Sequence, residues 1–261
     1  ADCEVCVPFG FSKKGNSFQG LAQFFDARIL FFPVHSMIGP VWVTSPSVLN
    51  AAGIFTSTSI SFTSEDFQKL NRELSKIEGE EKKEYFYSQC QQVGSNLNLG
   101  WLYLSKSEIT QIESKHIPEV TNWQVKDSNT TNKTLQEIGI NVEILNRIIV
   151  VSDKLFSQII NDNLEVRTSV AIDPATGAAE SGALYTYEAI PRATVMWFDV
   201  VYNKPEYFRI NGTQEISFSP PPVNYTDPFI RTVNPPDNIC IMAFNVDKGL
   251  AYFENLGVGG M

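Results

Sequence analysis

The sequence predicts an α+β domain with helices on one face of an antiparallel sheet. Two observations carry this. Apolar runs of strand length occupy residues 25–34, 41–44 and 146–151, and two segments behind capping residues place apolar side chains at helical spacing. The order is strand, two helices, strand, helix, hairpin and further strands, with no internal repeat. The composition (261 residues, 43% hydrophobic, 12% aromatic, 19% charged) excludes a disordered tail, a collagen-like repeat and a disulfide-dense miniprotein.

Residues 1–24, rich in Gly, Ser and Lys, read as a loop leading into the first strand at 25–34. A turn at Ile38-Gly39-Pro40 separates that strand from 41–44. Ser45 then caps a helix with Pro46 at its first position and Val48, Leu49 and Ala52 on one side, and Gly53 ends it. Thr63 to Asp66 opens a second helix expected to run to about Glu81, with Phe67, Leu70, Leu74 and Ile77 in phase. The charged stretch from Glu78 to Glu84 reads as its solvated face. A short strand follows at 101–104, and the polar stretch 113–137 reads as a long mobile loop. Ser152 caps a helix carrying Leu155, Phe156, Ile159 and Ile160. Residues 167–173 and 183–190 flank the turn Pro174-Ala175-Thr176-Gly177 as a hairpin. Further strands are expected at 194–202 and 239–244.

Twenty Lys and Arg against 29 Asp and Glu leave a net charge of −9, the opposite of the usual nucleic-acid footprint. Cys3-x-x-Cys6 has the spacing of half a zinc site, yet Cys90, Cys240, His35 and His116 supply no second pair, so four free thiols in a reducing, cytoplasmic setting are expected. The triplets at Asn129, Asn132, Asn211 and Asn224 keep open a secreted, glycosylated binding domain. No apolar run approaches the roughly 18 residues of a membrane span. Neither a Gly-rich phosphate loop, a zincin helix nor a nucleophile elbow is present, so no catalytic residue and no metal ligand is assigned.

Two longer segments are more specific. The first runs Phe25-Asp26-Ala27-Arg28-Ile29-Leu30-Phe31-Phe32-Pro33-Val34-His35-Ser36 and continues through Val41-Trp42-Val43-Thr44-Ser45-Pro46. The second comprises Arg167, then Ile172-Asp173-Pro174-Ala175-Thr176-Gly177, Gly182-Ala183-Leu184-Tyr185, Glu188 and Ile190-Pro191. Together they resemble the RAMP superfamily of CRISPR proteins, and within it the repeated backbone subunit of the type III-B (Cmr) effector complex.

The resemblance implies a modified ferredoxin-like (RRM-like) palm with a protruding β-hairpin thumb. It would span 1–261 as a single domain lacking its first strand and the end of its glycine-rich loop, with 113–137 as a polar insertion and 167–191 as the thumb. It further implies copies stacked along a guide RNA (crRNA), with each thumb wedged between bases. Target RNA would be cleaved with a divalent metal (Mg or Mn) and an acidic loop residue upstream of Ala1. Asp26 is not that residue; it is expected to accept structural hydrogen bonds or pair with Arg28.

Expected RNA contacts are Leu184, Tyr185 and Tyr187 on the thumb, whose apolar and aromatic side chains suit base stacking, and Gly257, Gly259 and Gly260 in the terminal loop. His35 and Ser36 join them, His35 standing where the family has Arg and Met37-Ile38 where it often has Lys. Arg167 and Asp173 are expected to hold the hairpin's base and turn. Implied partners are guide and target RNA, other copies of the chain and other subunits of the complex, with no membrane. A non-catalytic backbone subunit of a related type III complex is the alternative within the family.

Overall fold

The computed structural model describes residues 9–13, 16–20, 22–54, 62–78, 81–125, 133–172, 175–178, 182, 184–202, 209–210 and 214–215. They fall into two units. The larger comprises Arg28–Lys126 and Asn132–Trp197, the smaller Ala1–Ala27, Asp127–Thr131 and Phe198–Met261. The expected strand at 239–244 and the acceptor asparagines Asn129, Asn132, Asn211 and Asn224 lie outside the described residues, as do Cys3, Cys6 and Cys240.

In the larger unit we number β1 (Arg28–Ser36), β2 (Gly39–Thr44), α1 (Pro46–Ala51), α2 (Ser64–Leu74), β3 (Ser75–Glu78), β4 (Glu81–Tyr87), β5 (Asn96–Leu99), β6 (Leu102–Lys106), β7 (Ile148–Val151), α3 (Asp153–Asp162), β8 (Glu165–Ser169), β9 (Tyr185–Ala189) and β10 (Val195–Trp197). The main sheet runs β10-β1-β2-β7-β4-β6-β5, and β3 forms a hairpin with the first half of β4. Its centre has ferredoxin-like order. β2 and β7 are parallel neighbours, β4 is antiparallel to β7, and the place beside β2 is filled by β1, which precedes it in the chain.

The sheet is mixed, with parallel pairs β2–β7 and β4–β6. A long connection carrying α1 and α2 separates β2 from β7, which permits parallel pairing where a tight turn would not. Pro33 is tolerated inside β1 because it sits opposite Trp42, whose own N–H turns away to the Arg147 carbonyl at 3.0 Å, and because β10 pairs β1 only as far as Phe31.

Consecutive apolar residues on the central strands bury both sheet faces, and the helices are divided between them instead of gathered on one. Phe31, Trp42, Ile148 and Val150 pack with Leu49 of α1 and Phe67, Leu70 and Leu74 of α2. Phe32, Val41, Val43, Ile149 and Val151 pack with Leu155, Phe156 and Ile159 of α3. Strands apolar at successive positions, such as Ile148–Val151, need cover on both sides. The sheet also curls until its far hairpin reaches β1 again, where the Gly100 N–H donates to the His35 carbonyl and the Met37 N–H to Asn98 Oδ1, each at 2.9 Å.

Local signals set the helix starts. Thr63 and Asp66 form a reciprocal capping box on α2, Thr63 N–H donating to Asp66 Oδ2 at 2.7 Å, and Ser152 Oγ accepts from Leu155 N–H on α3. α2 ends at Leu74, short of the expected Glu81, because residues 75–78 turn into β3 and pair with β4. The charged stretch is thus a hairpin.

The described parts of the expected mobile loop, 113–125 and 133–137, are ordered against the core. Ile117, Val120, Trp123 and Leu135 are buried in the α2-side core, and Trp123 Nε1 donates to the Pro118 carbonyl at 3.0 Å. These apolar side chains, with Val125 packed beside them, anchor the described parts of an otherwise mostly polar segment.

In the smaller unit, Ala22–Phe24 pairs antiparallel with Val200–Tyr202, and Phe9 stacks on Phe24 at 5.6 Å between ring centres. The expected strand at 194–202 is therefore two: Val195–Trp197 joins the larger unit's sheet and Val200–Tyr202 belongs here.

Replacing the fully buried Trp123 by Ala should destabilise the protein by about 3–5 kcal/mol, since a cavity adds to the lost transfer energy. Urea unfolding measures this, and a cost of a few tenths of a kcal/mol would return the segment to the surface.

Candidate nucleic-acid interface

β8 and β9 form a two-stranded antiparallel ribbon that pairs with no other strand among the described residues. The register places Arg167 opposite Tyr187 and Ser169 opposite Tyr185. Period-two alternation therefore puts Glu165, Arg167, Tyr185 and Tyr187 on one face and Val166, Thr168, Thr186 and Glu188 on the other. The ribbon is solvent-exposed on both faces. Tyr185 is 59% exposed, Leu184 67% and Val166 70%, and the Tyr185 and Tyr187 rings lie 5.9 Å apart. Gly177 and Gly182 adopt positive φ in the connection beyond the strands, a conformation glycine takes without a Cβ clash.

The base of the ribbon is fastened. The Arg167 guanidinium donates to Glu165 Oε2 from Nε at 2.9 Å and from Nη2 at 2.5 Å. Where β9 returns, the Trp42 indole Nε1–H donates to the Ala193 carbonyl at 2.9 Å, and Thr194 Oγ1 donates to the Pro191 carbonyl at 2.7 Å. Ala193 holds a positive φ of 65°, costly for a residue with a Cβ, and the Trp42 bond fixes its carbonyl in that turn. Beyond it, β10 pairs with β1, and the Arg28 guanidinium lies over the Trp197 ring at 5.1 Å. Hydrogen bonding from Arg167 holds the Glu165 carboxyl below its usual range against a smaller desolvation effect, with the Arg192 backbone N–H adding to it, and Glu165 in turn raises Arg167.

The structure brings Leu184, Tyr185 and Tyr187 together on this ribbon, with Arg167 at its base. Asp173, Gly257, Gly259 and Gly260 lie outside the described residues. His35 is exposed at the end of β1. Ser36 is buried, and its hydroxyl donates to the Gly39 carbonyl at 2.6 Å. It shapes the turn and offers no surface group. Asp26 is exposed. Trp42, Glu165 and Ala193 were not anticipated. The i, i+2 spacing of Glu165 and Arg167 is a readable signal, whereas no local pattern announces a bond across 151 residues from Trp42.

Cys90 is free and buried. A cleft of about 910 Å³ near β2 is lined by His116, Glu119, Glu143 and Arg147 among others, a mixture of charges that selects no single ligand class. Among the described residues no three His, Cys, Asp or Glu side chains converge on a point. The described residues thus supply no cluster that would hold the divalent metal the resemblance implies. No helix among them is long and apolar enough to cross a membrane.

The fold and the ribbon define an α+β palm with an extended, solvent-exposed hairpin. The RAMP superfamily model matches residues 62–216, more than half of the sequence, and the chain belongs to that superfamily. No curated protein matches it. Among solved structures it is similar to a type III-B Cmr-beta complex bound to cognate target RNA, at 17% identity over 73% of this chain and 60% of that one, with a TM-score of 0.43. It is also similar to oligomeric Cmr4 from Pyrococcus furiosus, at 21% identity over 70% and 57%, with a TM-score of 0.39. The chain thus spans about 60% of the length of the first.

The depressed Glu165 carboxyl makes the ribbon's base acid-sensitive. A group whose folded pKa lies below its unfolded one stabilises above the unfolded value and loses that contribution as pH falls through the folded value. Amide exchange at 185–189 should therefore speed up as pH drops below the ordinary glutamate range, beyond the intrinsic pH effect. Glu165→Gln should already show the faster exchange at neutral pH, and identical protection in both proteins would discard the joint.

Proposed function

We propose that this chain is a guide-RNA-binding backbone subunit of a type III-B CRISPR effector complex. Its ribbon serves as a thumb that separates and stacks on bases of an RNA strand, without reading their sequence. The observation that carries this reading is the ribbon itself. An isolated two-stranded hairpin is marginal in water, and one that exposes Val166, Leu184, Tyr185, Tyr187 and Ile190 leaves apolar surface that a partner must cover. Two tyrosines on one face supply a stacking surface that tolerates any base.

The family assignment supports RNA as the partner, and the similar Cmr-beta structure is described as bound to target RNA. His35, exposed at the end of β1, is a second contact. Leu184, at the start of the returning strand, is the wedge. Contacts from Gly257, Gly259 and Gly260, other copies of the chain, other subunits and a cytoplasmic setting belong to the same proposal. Cleavage of the target with a divalent metal is what the family resemblance implies, and no residue of this chain is assigned to it.

Tyr185→Ala with Tyr187→Ala should weaken binding of a guide-length single-stranded RNA by about 1–3 kcal/mol for each base lost from the stack. The slope of log affinity against log salt should stay unchanged, because neither ring touches a phosphate as a cation. Mobility-shift titrations across salt concentrations give both numbers, and unaltered affinity would refute the thumb.

A further inference from the structure

Two hairpin turns of the larger unit meet: Met37–Ile38 between β1 and β2, and Gly100–Trp101 between β5 and β6, the second lying against Asn163, two residues before β8. They are bound to one another through the Gly100 N–H to the His35 carbonyl and the Met37 N–H to Asn98 Oδ1, while Asn98 Nδ2 donates to the Gly100 carbonyl at 3.3 Å. Arg147 braces the first turn, its Nη1 donating to the carbonyls of Ile38 and Pro40, both at 3.3 Å. Gly100 has a φ of +60°, and a Cβ there would lie 3.1 Å from Asn163 Oδ1, so the second turn is shaped for glycine as well.

On this fixed base the side chains are unusual. Met37 is 84% exposed, Trp101 74% and Tyr103 71%, with His35 exposed beside them. The charge pattern is as distinctive. In a chain of net charge −9, residues 27–64 contain no Asp or Glu, and neither do residues 85–107. Those are the two stretches that build the paired turns.

We propose that this tip is a second RNA-contacting site, at which the Trp101 indole stacks on an unpaired base, with Tyr103 on the same hairpin extending the aromatic surface. This rests on the RNA-binding reading above and adds a site to it. Single-stranded RNA suits the place on two counts. An exposed indole needs a free π-face, which a base offers only when unpaired. A polyanion favours turns whose own residues carry no carboxylate and that are backed by a guanidinium. A protein partner would need no such exclusion of acids.

Tryptophan emission offers a direct readout, because Trp42 and Trp123 are buried and Trp197 lies under Arg28, leaving Trp101 as the most exposed indole. Adding a short oligouridylate should quench emission and shield it from iodide, and Trp101→Phe should abolish the iodide-sensitive part while keeping most of the affinity. Trp101→Ala should bind the oligouridylate about 5- to 100-fold more weakly at an unchanged melting temperature. The same RNA annealed to its complement should protect the indole poorly.

If Trp101→Ala binds as tightly as the parent while the Tyr185/Tyr187 variant loses affinity, the tip proposal fails and the thumb stands. A loss of self-association with RNA affinity intact would overturn it in favour of a protein contact. Absence of RNA binding by the parent chain would sink both readings.

Discussion

A two-stranded ribbon exposed on both faces cannot hold its own direction in water, so its orientation depends on how its base is fastened. Trp42 supplies the fastening. Its ring lies in the α2-side core, its backbone N–H reaches Arg147, and its indole N–H holds the Ala193 carbonyl. One side chain therefore couples the packing of the central sheet to the exit of the ribbon. A neutral hydrogen bond of this kind contributes only about 1 kcal/mol to stability. Its larger effect is angular, because it fixes a turn whose Ala193 would otherwise leave the left-handed region.

The sheet can bear that attachment because it is covered on both sides. Phe31 and Phe32, adjacent in sequence, enter different core layers, and the same division runs through Ile148 to Val151. Ridges of large apolar residues on both faces resist shear between strands, since interiors pack at crystal-like density. The polar joints sit where the packing stops. Ser47 and Asp153 link the starts of α1 and α3, and Lys115 pairs with the buried Asp66 of the capping box at 2.6 Å.

Much of this architecture was legible wherever a local rule operates. The caps at Thr63 and Ser152 each depend on residues within a few positions of one another. Features set by distant partners were not legible. β4 hides because its first half, Glu81 to Glu84, is charged and belongs to a hairpin, leaving only Tyr85 to Tyr87 to reach the main sheet. Segment 113–137 hides because Trp123 and Leu135 are buried from irregular chain, where neither a period of 2 nor one of 3.6 applies. Ser36 misleads in the opposite sense: a small hydroxyl after an exposed His reads as a contact, yet its bond to Gly39 consumes it.

Net charge misleads for a related reason. A value of −9 describes the chain as a whole, whereas a polyanion meets a local field that fades beyond about 8–10 Å at physiological salt. The carboxylates concentrate in the α2–β4 region and in the later half of the sequence, while the paired β1–β2 and β5–β6 turns carry none. Base stacking is also indifferent to net charge, since it draws on ring area and desolvation. An acidic protein can therefore still present aromatic surfaces to a polyanion where a nearby carboxylate is paired, as Glu165 is with Arg167. If the chain binds RNA as proposed, stacking would contribute more to its affinity than counterion release.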